Sequence, residues 1–152
     1  MQVTVGKVSL RNLNELLRIE RDCFTREAFT KEQIEILLRN PNAIGLLAQV
    51  DGEVAGFIIG VIENYGAVRT GHIYTIDVAV KHRRRGVGLK LLKEIETAFL
   101  KKGAATCCLE VRIDNYTARR LYEKQGYIEI EALNDYYSRG GHGLRLTKQL
   151  KP

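Results

Sequence analysis

The sequence predicts a mixed α/β (α+β) fold, a central and mostly antiparallel mixed sheet with helices on both faces. Three observations carry this. Strand-like runs and amphipathic helical runs follow the order β-α-α-β-β-β-α-β-α-β-β. Asp51-Gly52 joins two apolar runs and is the strongest short hairpin signal in the chain. Residues 72–113 read as strand, helix and strand, a unit that needs a right-handed parallel crossover.

The elements follow in order. Residues 3–9 form the first strand. A helix spans 13–23, where Leu13, Leu16, Leu17 and Ile19 mark an apolar stripe. The next helix spans 30–39: Thr30 is its N-cap, Gln33 completes a capping box, and Asn40-Pro41 ends it. Strands 44–50 and 54–62 flank Asp51-Gly52, and 72–80 adds a third member of that meander. The helix from 86 to about 102 buries Leu91, Leu92, Ile95, Ala98 and Phe99, and Gly103 stops it. Strand 105–113 follows, then a helix over 115–125 ended by Gly126. Strands 127–132 and 143–150 close the chain. No repeat, low-complexity tract or linker interrupts it, so 1–152 is expected to be one domain.

Composition narrows the class. Hydrophobic residues make up 45% and charged residues 28%, as in ordinary globular proteins. No stretch approaches the ~18 apolar residues of a membrane span, and 1–4 start a strand rather than a signal peptide. A cytoplasmic protein without membrane contact is the expectation. The three cysteines, Cys23, Cys107 and Cys108, form no disulfide framework. No Cys/His cluster accompanies them, so no metal is expected. The net charge of +6 suits a polyanionic ligand, and it permits nucleic-acid contact without requiring it.

Residues 83–88, Arg83-Arg84-Arg85-Gly86-Val87-Gly88, lie between a strand-like run and a helical run. A helix start leaves backbone N–H groups unpaired, and the helix dipole adds partial positive charge there. Glycines let the backbone approach a phosphate closely. This points to a nucleotide-like ligand with a pyrophosphate. It is neither the dinucleotide fingerprint nor a Walker A loop.

The motif resembles the pyrophosphate loop of the GNAT family of acetyl-CoA-dependent N-acetyltransferases, Gln/Arg-x-x-Gly-x-Gly/Ala. A second stretch adds to the resemblance. Leu109-Glu110-Val111-Arg112 is followed by Asn115, Ala118, Leu121-Tyr122 and Gly126-Tyr127, in the pattern Asn-x-x-Ala-x-x-Leu-Tyr-x-x-x-Gly-Phe/Tyr. The two cover 72–127. Leu-Glu-Val-Arg, Gly71-His72 and Tyr136-Tyr137 look most like RimI-type and archaeal protein N-terminal acetyltransferases.

The resemblance implies the GNAT-like fold and an enzyme that moves acetyl from acetyl-CoA to an amine, with CoA as product. The favoured acceptor is a protein or peptide N-terminus, including that of a ribosome-associated protein. It implies that Arg83, Arg84, Arg85, Gly86, Val87, Gly88 and Leu89 hold the pyrophosphate. The backbone of Ile76, Asp77 and Val78 would pair with the pantetheine arm, helped by Asn115 and Tyr122, and amides near Val78 would serve the developing oxyanion. Tyr122 is the expected acid. Glu110 and His72 compete as the base, with joint action of the two through a water as a further alternative. Glu110 shares a strand face with Cys108 and Arg112, which also allows a solvent-facing carboxylate paired to Arg112. Phe24, in the 24–27 loop, and Tyr136 and Tyr137, in the loop between the last two strands, are the expected substrate contacts. A small-molecule amine acetyltransferase and a non-catalytic acetyl-CoA- or RNA-binding module are the alternatives.

Overall fold

The computed structural model describes residues 2–24 and 27–151. Thr25 and Arg26, in the expected substrate loop, lie outside the described residues. The strands are β1 (Val3–Lys7), β2 (Ala43–Val50), β3 (Glu53–Tyr65), β4 (Val68–Val78), β5 (Thr106–Arg112), β6 (Ile128–Ser138) and β7 (Gly141–Gln149). The helices are α1 (Leu13–Cys23), α2 (Lys31–Arg39), α3 (Val87–Lys101) and α4 (Tyr116–Lys124). One seven-stranded sheet runs β1-β2-β3-β4-β5-β7-β6. Every pairing is antiparallel except β4 with β5, the parallel pair that α3 connects. Fold class and element order agree with the sequence reading.

Local chemistry sets several boundaries. Thr30 Oγ1 accepts from the Gln33 N–H, and Gln33 Oε1 accepts from the Thr30 N–H, the reciprocal capping box. Asp51 and Gly52 both have positive φ, 51° and 78°, which suits the twist of a two-residue hairpin. The sequence reading starts the third meander strand at 72, four residues late. Gly66, with φ 63°, turns a second tight hairpin, and Tyr65 pairs directly with Val68. The polar, glycine-bearing run from 63 to 71 hides it.

The last hairpin differs more. Tyr136 and Tyr137, expected in a loop, lie inside β6, which runs to Ser138. β6 is an edge strand with mostly exposed residues on both faces and an irregular register between Leu133 and Ser138. An edge strand buried on neither face shows no period-2 pattern, so composition alone reads it as loop.

Two cores sandwich the sheet. α1 and α2 bury Leu16, Leu17, Ile19 and Ile34 against Leu47, Phe57 and Ile59. α3 buries Leu91, Leu92, Ile95 and Phe99 against Ala48, Ile58 and Ile73, and Tyr122 of α4 joins that cluster. The Phe99 ring lies directly over β4. A Cβ added at Gly71 would sit 2.1 Å from a Phe99 ring carbon, and one at Gly60 would sit 2.5 Å away. Gly71→Ala therefore has to displace a fully buried ring. Overpacking of this kind costs roughly 3 kcal/mol, or about 10 °C in Tm at this size. Urea unfolding checks it, and an unchanged midpoint would refute the packing argument.

Candidate active site

The site begins where the parallel pair opens. β4 and β5 are in register from Thr70↔Thr106 to Ile73↔Leu109 and no further. Beyond that point β4 continues on β3 to Val78, and β5 continues on β7 to Arg112. Pairing of β3 with β4 also skips Tyr74, a bulge that re-aims the strand at the opening. A cavity of about 140 Å³ fills the gap. Ile73–Ile76 and Leu109–Arg112 form two walls, Asn115, Ala118 and Tyr122 a third, and Glu20, Phe24, Glu27, Phe29 and Tyr137 the remaining side.

The unpaired edge of β4 carries backbone donors. The Asp77 carbonyl is directed at β3, only 2.5 Å from where a Cβ would stand on Gly56. The N–H of the same peptide belongs to Val78 and points the opposite way, towards the opened side. The Val78 carbonyl also points away from β3 and accepts from Arg83 Nε at 3.2 Å.

The anion cradle lies at the end of β4. Gly86 is the N-cap of α3 in the left-handed region, φ 79°, and Arg84 before it has φ 63°. No acidic residue stands in the first turn. A Cβ at Gly88 would meet only ordinary contacts at 3.5 Å and beyond, so no packing inside the chain demands glycine there. Val87 is buried and Leu89 half-buried, so these offer backbone N–H groups rather than side chains. Arg83, an exposed residue, sends its guanidinium to the Val78 carbonyl and Cys23 Sγ. The cradle fits a pyrophosphate through backbone amides. Gly86→Asp places at φ 79° one of the few side chains that enter the left-handed region, at some strain, and sets a carboxylate against that charge. Like-charge contact costs several kcal/mol, so acetyl-CoA affinity is expected to fall tenfold or more. Calorimetry on the folded variant checks this, and unchanged affinity would refute the site.

The two candidate bases are not alternatives in space. Glu110 lines the cavity, and His72 stands behind it with Nε2 2.7 Å from Glu110 Oε1. The alternation of β5 is as expected, but Glu110 does not pair with Arg112. Arg145 Nε of β7 donates to Glu110 Oε2 at 3.1 Å, while Arg112 binds Glu27 at 2.5 Å and Asp114 at 3.0 Å. Burial works against ionised Glu110, yet the His72 and Arg145 contacts outweigh it and hold the carboxyl below its usual range. Burial likewise opposes charge on His72, and its bonds to Glu110 and Glu63 overcome that and raise its pKa. Both shifts favour the carboxylate–imidazolium form of the pair.

Tyr122 and Asn115 share the third wall. Tyr122 is 5% exposed, and its ring meets Tyr127 edge-on at 5.7 Å. Burial pushes its phenol well above 10, so the hydroxyl keeps its proton. Asn115 is the N-cap of α4: its Oδ1 accepts from the Ala118 N–H. Its carboxamide nitrogen is what remains to reach a ligand. On the substrate side, Phe24 and Tyr137 line the cavity. Tyr136 does not; it is 47% exposed and packs against the Tyr137 ring at 4.9 Å.

Two groups at the site, Glu63 and Glu20, escape the sequence reading, and Glu27 enters it only as the end of the 24–27 substrate loop. Glu27 faces the cavity from beside the 25–26 segment. Glu63, on β3, bonds His72. Glu20 is 1% exposed and holds the chain after α1, accepting from the Phe29 N–H at 3.0 Å and contacting Thr75 Oγ1 at 2.9 Å. Its signal was legible, because a glutamate stands at the i+7 position of the Leu13, Leu16, Leu17 stripe. Asp77, expected to serve through its backbone, puts its carboxyl into the same buried cluster, 2.8 Å from Thr75 Oγ1. Burial and then Glu20 push that carboxyl well above its usual range, which favours its neutral form.

An opened parallel pair, an anion cradle at the following helix and a proton-handling pair in the gap define an acyltransferase with a nucleotide-bearing donor. The model of the acetyltransferase (GNAT) family matches residues 13–127, and the chain belongs to that family. It is an acetyl-CoA-dependent N-acetyltransferase. The chain is 32% identical over 148 residues to an uncharacterised N-acetyltransferase of Methanocaldococcus jannaschii, covering 95% of this chain and 90% of that protein. It is 32% identical over 142 residues to an N-alpha-acetyltransferase of Sulfolobus acidocaldarius, covering 87% and 83%. The crystal structure of Ard1 from Thermoplasma volcanium superposes with a TM-score of 0.88 at 27% identity, over 98% of each chain. No helix among the described residues is long and apolar enough to cross a membrane.

Proposed function

We propose that this enzyme acetylates the N-terminal α-amine of proteins. The observation that carries the reading is the Glu110 carboxylate, set in the β4–β5 gap on the wall of a cavity with acidic and aromatic sides. Glu20, Glu27 and Glu110 suit an ammonium, and Phe24, Phe29 and Tyr137 suit the first side chain of a peptide. A carboxylate held below its usual range is a weak base. It matches the amine that needs least help, an α-amine of pKa ~7.7–8.0 rather than a lysine of ~10.4. The N-alpha-acetyltransferase of Sulfolobus acidocaldarius supports the same class.

Bound acetyl-CoA supplies the acetyl thioester. Glu110, directly or through a water, takes the proton of the α-ammonium. The neutral amine would then attack the thioester carbon, with the Val78 N–H placed to donate to its oxygen as charge develops; the C–S bond would break as the C–N bond is completed and the nitrogen gives up its remaining extra proton to solvent. Tyr122 holds the proton that the departing sulfur needs.

Release of free CoA thiol, followed on three acceptors, tests the reading. Peptides with a free N-terminus are expected to react. The same peptides with a blocked N-terminus and a free lysine are expected to react far more slowly, as are small polyamines. Equal rates on the two peptides, or turnover on small amines alone, would reject it.

A further inference from the structure

We propose that Glu63 is a positioning residue of this active site: it fixes the His72 ring, holds its charge, and so keeps Glu110 an aimed carboxylate. The inference rests on the reading of Glu110 as base given above. His72 lies between two carboxylates, with Nδ1 2.8 Å from Glu63 Oε1 and Nε2 2.7 Å from Glu110 Oε1. A ring bonded at both nitrogens cannot rotate without breaking a charged hydrogen bond, and two carboxylates require a proton on each nitrogen.

Glu63 is itself saturated. Tyr65 donates to Oε1 at 2.6 Å, and Tyr74 donates to Oε2. Tyr74 also packs its ring on His72, centroids 4.3 Å apart. Burial acts against the ionised form of Glu63, but these three partners outweigh it and keep the carboxyl ionised. Glu63 does not line the cavity. Its influence on the reaction therefore passes through His72.

The groups around the ring come from every neighbouring strand. β3 supplies Glu63 and Tyr65, β4 supplies Tyr74, β5 supplies Glu110 and Cys108, and β7 supplies Arg145 behind Glu110. Burial pushes the Cys108 thiol up to about 12, so it is neutral. Arg145 pairs with Glu110 at 3.1 Å and does not bond the ring. The two carboxylates are thus the charges that decide the state of His72.

The chain has three histidines, so ring ¹⁵N signals are readily assigned. In the full-length wild type, both His72 ring nitrogens are expected to carry protons at pH 7, with a midpoint above 6.5. Glu63→Gln keeps an acceptor for Nδ1 and removes the charge. Loss of an opposite charge at this range lowers the midpoint by about one unit or more. On a free-N-terminus peptide, kcat should fall about tenfold, on the scale of lost outer-shell support, with KM for acetyl-CoA unchanged. Glu63→Asp restores the charge and part of the rate. A purely structural Glu63 would leave the His72 midpoint in place, and that result overturns the proposal. A wild-type ring that is neutral at pH 7 overturns it without any variant. A wild type that acetylates only small amines removes the α-amine reading and leaves the titration result standing.

Discussion

Glu110→Gln is expected to lower kcat/KM on a free-N-terminus peptide by about 10²–10⁴-fold near pH 6.5. The substitution keeps the shape of the side chain and an acceptor for Arg145, which lies 3.1 Å from Oε2. What it removes is the charge on the cavity wall. The deficit should depend on pH. Below about 8 most α-amine is protonated and the reaction needs a base; above it the neutral amine is abundant, and the deficit shrinks. Because the partners of Glu110 hold its carboxyl below the usual range, the wild-type residue is ionised across that window and adds no acid limb near pH 6. CoA-thiol release from pH 6.5 to 9 measures this. A pH-independent deficit in Glu110→Gln, with a strongly pH-dependent one in His72→Ala, would move the base to His72.

Tyr122→Phe is expected to cost a similar factor, about 10²–10⁴-fold in kcat, with acetyl-CoA affinity intact. The ring stays in place, held edge-on by Tyr127 at 5.7 Å, so the packing of α4 against the sheet is retained. Only the hydroxyl is lost. Burial raises the phenol pKa and makes it an unwilling acid in the resting protein. It is still a competent donor to a thiolate formed beside it, because the alternative is an uncompensated charge in a site largely shielded from water. Single-turnover rates separate this step from product release. A loss below about threefold in the chemical step would leave Tyr122 as a packing residue.

The cluster of Glu63, His72 and Glu110 also makes stability depend on pH in two directions. His72 has a raised pKa in the folded state, so its contribution is present below about 6.5 and is lost as pH rises through the folded value. Glu63 and Glu110 have lowered values, so theirs is present above about 4.5 and is lost as pH falls. The cluster stabilises most between those limits.

The sequence by itself determined whatever depends on neighbours within a few positions. Asp51-Gly52 specifies a hairpin because both residues accept positive φ. Thr30 and Gln33 cap α2 because they are three residues apart. Gly86 and Gly88 mark an anion cradle because they begin a helix after a strand. The period of Cys107 to Arg112 puts Glu110 on the face opposite Leu109 and Val111. The motifs around these residues carry the family. Tertiary structure decided which partners those side chains meet. Glu110 bonds His72, 38 positions away, and Arg145, 35 away, rather than Arg112 two residues along. Glu63 reaches His72 only because a tight turn at Gly66 brings β3 and β4 together in register, and nothing local to Glu63 announces it. The edge position of β6 removed the alternation that would have placed Tyr136 and Tyr137 in a strand. Gly71 enters the sequence reading only as part of the Gly71-His72 pair. It is glycine because the Phe99 ring, from a helix 28 positions on, occupies the space a side chain would need. Propensity and periodicity act along the chain, whereas ion pairs and close packing are fixed by strand register and helix docking, which join residues that the sequence keeps apart.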